Sequence, residues 1–208
     1  MATVLNTPEQ KVLLRGVSWE TYSRLVDECQ ESCGARLSYD RGMLEITAPS
    51  FKHETLKETI SMLFQLVASE IDINFQAAGS TTFRREDLEK GFEPDACFYI
   101  QHASHVRGKE QIDLSVDPPP DLVIEIDITR SSLDKLRIYA AAGVPEVWRY
   151  SNDALTILRL DQQGYVEEPR SLSLPRVSSA DLTEFISSGQ ELTPAAWMRR
   201  VRSWAQKI

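Results

Sequence analysis

Apolar positions recur at helical spacing in some stretches of this chain and alternate with polar ones in others. Ser18-Trp19-Glu20 opens a helical pattern that runs to about residue 31, with Ser18 placed as its N-cap. Residues 36–39 and 43–48 then alternate like short strands, and Asp40-Arg41-Gly42 between them reads as a hairpin turn. Pro49 and Ser50 start a long helix to about residue 70, its apolar stripe made by Leu56, Ile60, Leu63, Phe64 and Val67. Residues 71–77 read as a strand, 80–90 as a charged loop with a short helical turn, and 94–100 as another strand. A long connection closes on Pro118-Pro119-Pro120, which can continue neither a helix nor a central strand.

Residues 121–128, DLVIEIDI, form the clearest strand pattern in the chain. Ser131 or Ser132 is placed to cap a helix over 133–142, and Gly143 suits the residue after its end. Strands follow at 145–150, 155–160 and 165–168, then helices at about 181–188 and 194–207. This order predicts a single α/β domain over 1–208: a mixed central β-sheet flanked by helices, with an N-terminal helix and hairpin and C-terminal helices. Trp197, Val201, Trp204 and Ile208 give the last helix a stripe that reads as packing onto the core. No GxGxxG or GxxxxGK[ST] pattern occurs, so dinucleotide and P-loop nucleotide binding are set aside.

Composition narrows the picture. The 208 residues are 42% hydrophobic and 26% charged, enough apolar material for one sizeable core. The net charge of −8 argues against coating nucleic acid or membrane by bulk attraction, though not against a local basic groove. Three cysteines, an odd count, argue against a disulfide scaffold, so Cys29, Cys33 and Cys97 are expected as thiols in a reducing cytoplasm. No run approaches the ~18 apolar residues of a membrane span.

The chemistry starts on the best strand. Alternation puts Leu122, Ile124, Ile126 and Ile128 on one face and Asp121, Val123, Glu125 and Asp127 on the other. Three carboxylates on one side of an apolar strand are costly unless paired, hydrogen-bonded or bound to a cation. A divalent metal held by oxygens would explain them, and an edge strand with one wet face is the bland alternative. Asp95 begins another apolar strand that could lie beside this one, so Asp95 and Glu125 could share an ion. Lys135, in the first turn of the next helix, could fold back beside them. Such a set suits metal-assisted hydrolysis of a phosphodiester.

Asp95, Glu125-Ile126-Asp127 and Lys135 together resemble the PD-(D/E)XK nuclease superfamily, the restriction-endonuclease-like fold. The segments GSTTFRREDLEKGFEPDACFYI and PDLVIEIDITRSSLDKLRIYAAAGVPEVWRY are similar to the Uma-two-type family of endonucleases, over roughly residues 17–168. The resemblance implies a Mg2+- or Mn2+-dependent endonuclease in which a metal-activated water attacks a DNA phosphodiester. It implies Asp95 and Glu125 as metal ligands and Lys135 as the catalytic cation, displaced onto the helix because Asp127 occupies the usual lysine position. Asp127 would be a further ligand or would hold Lys135. From the long helix, His53 is preferred over Glu54 as an orienting group or ligand. Arg85 and Arg130 are the candidate DNA contacts, other loop residues such as Arg84, Lys90, Arg107 and Lys109 being weaker ones. A homodimer is expected, since such sites often come in pairs. The rival is a silent metal- or nucleic-acid-binding module of the same fold.

Overall fold

In the computed structural model residues 9–29, 34–129 and 133–208 are described. The anticipated hairpin is present as β2 (Arg36–Asp40) and β3 (Met43–Ala48). Arg41 and Gly42 both have positive φ, 43° and 85°, the mirror-image turn that suits the twist of paired strands. The long helix α2 (Phe51–Glu70) is capped by Ser50, whose side chain accepts the His53 N–H. The acidic strand is β8 (Leu122–Asp127), followed by α4 (Lys135–Ala142), which ends at left-handed Gly143. Strands β9 (Glu146–Ser151), β10 (Ala154–Asp161) and β11 (Gly164–Glu168) and helices α5 (Ser179–Glu191) and α6 (Pro194–Ala205) complete the chain.

One mixed central sheet was expected, and there are two sheets. The central one is six-stranded, β11-β10-β9-β8-β7-β4, with β4 at Gln76–Gly79 and β7 at Ala96–Tyr99. It is mixed as expected, because β8 and β9 run parallel across the α4 crossover while the other neighbours are antiparallel. The hairpin belongs instead to a five-stranded antiparallel sheet, β1-β3-β2-β6-β5, in which β1 is Gln10–Arg15, β5 is Phe83–Arg85 and β6 is Lys90–Phe92. Helix α1 (Trp19–Cys29) follows β1, and the one-turn α3 (Ala103–Val106) follows β7.

Two sequence expectations fail, and one strand went unread, for physical reasons. The β1 segment sits at a sheet edge with both faces partly wet, so it shows no alternation. Strands β5 and β6 are three residues each, too short for periodicity, and the 3-10 turn Glu86–Leu88 between them is the short helical turn anticipated there. The alternating Ile71, Ile73 and Phe75 belong to no strand. Asp72 has φ 57°, and the Ile73 N–H returns to the Ala68 carbonyl at 2.9 Å, so the segment terminates α2 and tucks these side chains under the core. Of the cysteines, Cys97 is a buried thiol as expected, but Cys29 is disulfide-bonded. The cysteine count therefore no longer argues for a reducing compartment. Cys33 lies outside the described residues.

The two faces of β8 divide the core as the alternation requires. Leu122, Ile124 and Ile126 join α2, α5 and α6 in the larger cluster, which also holds Trp197, Val201 and Ala205 of α6. The last helix is thus a packing helix, as its stripe suggests. Val123 faces the other cluster, formed with Cys97, Tyr99, Ile138 and Tyr139 and with Phe83 and Phe92 of the smaller sheet. The acidic face of β8 therefore looks into the seam where the two sheets meet. Among the described residues no helix is long and apolar enough to cross a membrane.

Gly91 tests the packing of the smaller sheet. A Cβ built there would lie 1.9 Å from the Tyr22 hydroxyl. Tyr22 is fully buried and stacked on Tyr39 at 4.7 Å, so it has no room to retreat. Gly91→Ala is expected to lower stability by about 2 kcal/mol or more in urea unfolding, the range for overpacked cores. A surface control such as Glu167→Ala is expected to change it by less than about 0.5 kcal/mol.

Candidate functional site

Backbone pairing sets the site. Strands β7 and β8 pair Ala96 with Ile124, and one step further along the same antiparallel register Asp95 stands opposite Glu125. Directly opposed residues share a face, so the two carboxylates point into the seam together. Both are buried, at 2% and 4% exposure, where unpaired like charges would be costly. The Ile126 N–H also donates to Asp95 Oδ2 at 2.6 Å, fastening the acid to the neighbouring strand.

Cations from three other elements neutralise the pair. Lys135, the first residue of α4, donates its Nζ to Glu125 Oε2 at 2.9 Å, and Tyr139 one turn later donates its hydroxyl to Glu125 Oε1. The expected return of Lys135 to the acidic strand is therefore present. His53, in the first turn of α2, places Nε2 2.9 Å from Asp95 Oδ1 and Nδ1 2.7 Å from Glu9 Oε1. Arg36 of β2 donates NH1 to the same Asp95 Oδ1 and NH2 to Glu54 Oε1 at 2.7 Å. Glu54 is in turn bridged by Lys57 at 2.9 Å.

These neighbours decide the protonation states. Burial works to raise the Asp95 carboxyl, but the hydrogen bond from His53 and the charges of Lys135 and Arg36 outweigh it and hold it below the usual range. Glu125 is raised by burial, and the Asp95 charge opposite adds to that against the pull of Lys135. Lys135 is raised despite burial, because Glu125 and Asp95 favour its ammonium form. Burial alone would lower His53, yet the hydrogen bonds to Asp95 and Glu9 raise it to about 9, so it is an imidazolium at neutral pH. With both ring nitrogens spent on carboxylates, its part here is to orient Asp95.

The remaining sequence candidates fall elsewhere. Asp121 accepts the Ile100 N–H at 2.6 Å and meets His102 Nδ1 at 2.9 Å, so it pins the connection after β7. Asp127, at the end of β8, accepts Arg149 Nε at 2.6 Å. Arg85 forms a two-point pair with Asp87, at 2.8 and 2.7 Å, beside a small groove rather than at the acids. Lys90 pairs with Asp40, Lys109 with Asp117, and Arg107 donates to Asn74. Arg130 lies outside the described residues. Sequence reading missed Arg36, Glu9 and Tyr139. Tyr139 carried the one usable signal, its i+4 spacing from Lys135.

An open cleft of about 1420 Å³ adjoins the site at Arg36 and Glu54, its walls also including Lys57, Arg84 and Glu93 but neither Asp95 nor Glu125. That exceeds the few hundred to ~1,000 Å³ typical of small-molecule pockets and suits a larger ligand. Among the described residues no cluster of three or more His, Cys, Asp or Glu is arranged to hold a metal. Two oxygen-donor carboxylates nevertheless fit Mg2+ or Mn2+. Magnesium in particular is commonly bound through one or two carboxylates, with waters and substrate phosphates completing its shell.

A family described as "Putative restriction endonuclease" (Uma2) matches residues 19–195. Among solved structures the chain is similar to a "putative nuclease belonging to DUF820" from Anabaena variabilis ATCC 29413, with a TM-score of 0.54 and 18% identity. That match covers 82% of this chain and 99% of the other, and it shows that the two share a mixed α/β fold. No curated protein matches the chain.

The His53 imidazolium carries a pH signature. Its folded pKa of about 9 lies above the ordinary 6.5, so its contribution to stability is complete below about 6.5 and lost as pH rises through about 9. In EDTA, unfolding free energy is expected to fall by on the order of 3 kcal/mol across that window. His53→Gln is expected to flatten the fall. The His53 ring resonances, followed by NMR, should titrate near 9.

Proposed function

This chain belongs to the Uma2 family of restriction-endonuclease-like nucleases, and from that premise we propose that it is a Mg2+- or Mn2+-dependent endonuclease hydrolysing DNA phosphodiester bonds. The observation that carries the reading is the register of β7 and β8, which buries Asp95 opposite Glu125 with Lys135 returned against Glu125 from the following helix. Asp95 and Glu125 hold the ion. When bound, the ion supplies a more acidic water and positive charge at the phosphate.

The protein's own residues do the rest. His53 and the Ile126 N–H fix the orientation of Asp95, and Tyr139 fixes that of Glu125. Lys135 keeps its proton and offers a cation at the attacked phosphate. Asp127, bound to Arg149, adds negative charge that favours the Lys135 ammonium. Arg84 on the cleft wall and Arg85 beside it, with Arg130, contact the DNA backbone. Two copies would present two sites for cutting both strands, and a cytoplasmic location goes with a DNA substrate in this reading.

The saturation of both carboxylates by protein donors favours a second reading, a silent module that binds metal or nucleic acid without cleaving. Nicking of supercoiled plasmid with Mn2+ or Mg2+ separates the two. Wild type is expected to nick, EDTA to abolish it, and Asp95→Ala and Lys135→Ala to lower the rate by at least about a hundredfold. Cleavage unchanged in both variants would overturn the site. No cleavage, with Mn2+ raising the melting temperature only when Asp95 is present, would establish the silent module.

A further inference from the structure

The acids of the site are already paired with protein cations before any metal arrives, and Arg36 is the one of these cations that also lines the cleft. Asp95 Oδ1 receives both Arg36 NH1 and His53 Nε2, and these two nitrogens lie only 2.9 Å from each other. Two donors of positive charge therefore crowd one oxygen and repel. His53 is held there by the α2 backbone and by Glu9 on its far side. Lys135 is at a helix start and belongs to the other acid. Arg36 hangs on a long stem, with its second nitrogen on Glu54, a half-exposed acid of the cleft wall. Its guanidinium thus keeps a second partner, and has the cleft beside it, when it leaves Asp95.

A charge count shows the consequence. Asp95 and Glu125 contribute two negative charges, while Arg36, His53 and Lys135 contribute three positive ones, with Glu54 and Glu9 behind two of them. With all four acids counted the set carries one negative charge and a divalent ion turns it to one positive, so withdrawal of a cation or entry of a phosphate anion balances the loaded centre. Resting on the metal reading above, we propose that Arg36 is a positioning residue that competes with the divalent ion for Asp95. It keeps metal affinity low in the free protein and makes occupancy depend on an arriving phosphodiester. Release of the guanidinium from Asp95, with its Glu54 bond kept, frees a carboxylate lone pair for the ion and turns Arg36 towards incoming phosphate.

The test is Mn2+ binding measured by calorimetry, without DNA and independent of cleavage. Arg36→Gln removes the competing charge and is expected to bind Mn2+ at least about tenfold tighter than wild type, given how strongly unit charges interact at such range. Arg36→Lys restores a cation and is expected to return the affinity to within about threefold of wild type. A merely structural Arg36 would give weaker binding in both. Adding a short uncleavable phosphorothioate duplex should tighten Mn2+ binding to wild type by at least about tenfold, and to Arg36→Gln by clearly less. Should Arg36→Gln not fold, Glu54→Gln serves instead. It removes the second partner and is expected to weaken Mn2+ binding about threefold or more. Asp95-dependent binding that is unchanged or weaker in Arg36→Gln, or unchanged in Glu54→Gln, overturns the role of Arg36 while leaving the metal reading intact. Mn2+ binding equal in wild type and Asp95→Asn overturns the metal reading itself.

Discussion

Two buried carboxylates face each other across adjacent strands, and the rest of the molecule is arranged to make that tolerable. The β7–β8 register fixes Asp95 opposite Glu125, and neither could stay charged in an apolar seam alone. Each neighbouring element therefore delivers a neutralising or orienting group: β2 gives Arg36, α2 gives His53, and α4 gives Lys135 and Tyr139. The smaller sheet packs where it does because its polar face is needed there. Residues Arg36, Ser38 and Asp40 of β2 and Glu45 and Thr47 of β3 are all buried on that side, while Leu37, Tyr39 and Leu44 pack under α1. Glu45 accepts the Leu133 N–H and so ties this sheet to the start of the α4 segment.

Such a centre holds more charge than stability alone would favour. Replacing buried ion pairs with packed apolar groups often costs nothing, so the set is better explained by chemistry than by folding. The protonation pattern fits that view. One acid is held ionised by its neighbours and the other is pushed towards its proton, while the histidine and lysine are both held charged. Perturbed groups gathered beside an open cleft are what a reactive site looks like, and the family to which the chain belongs gives the chemistry its class.

Much of this was legible from residues alone. The alternation in 121–128 identified the strand and its acidic face, the Pro94-Asp95 strand start supplied the partner acid, and the Gly143 stop placed α4 so that Lys135 fell at its beginning. The family resemblance pointed to the long helix α2, and helical spacing, which sets His53 on its sheet-facing side, chose that residue over Glu54. These features are local, fixed by side-chain periods of 2.0 and 3.6 residues and by capping chemistry.

What the chain order could not say is which polar face meets water. The hairpin alternates as a solvent-exposed ribbon would, yet its polar face is buried against the acids, because a second sheet docks there through contacts far apart in sequence. Arg36 and Asp95 are 59 residues apart, and Glu9 reaches His53 across 44. Asp121 and Glu125 look equivalent on one strand, but the first binds backbone N–H groups of the β7 connection and only the second enters the site. By itself, then, the sequence determined the longer elements, the acidic strand and the lysine that follows it, since these depend on neighbours within a turn or a strand. Only the tertiary structure decided which charges meet, because burial and cross-sheet pairing set the cost of every unpaired one.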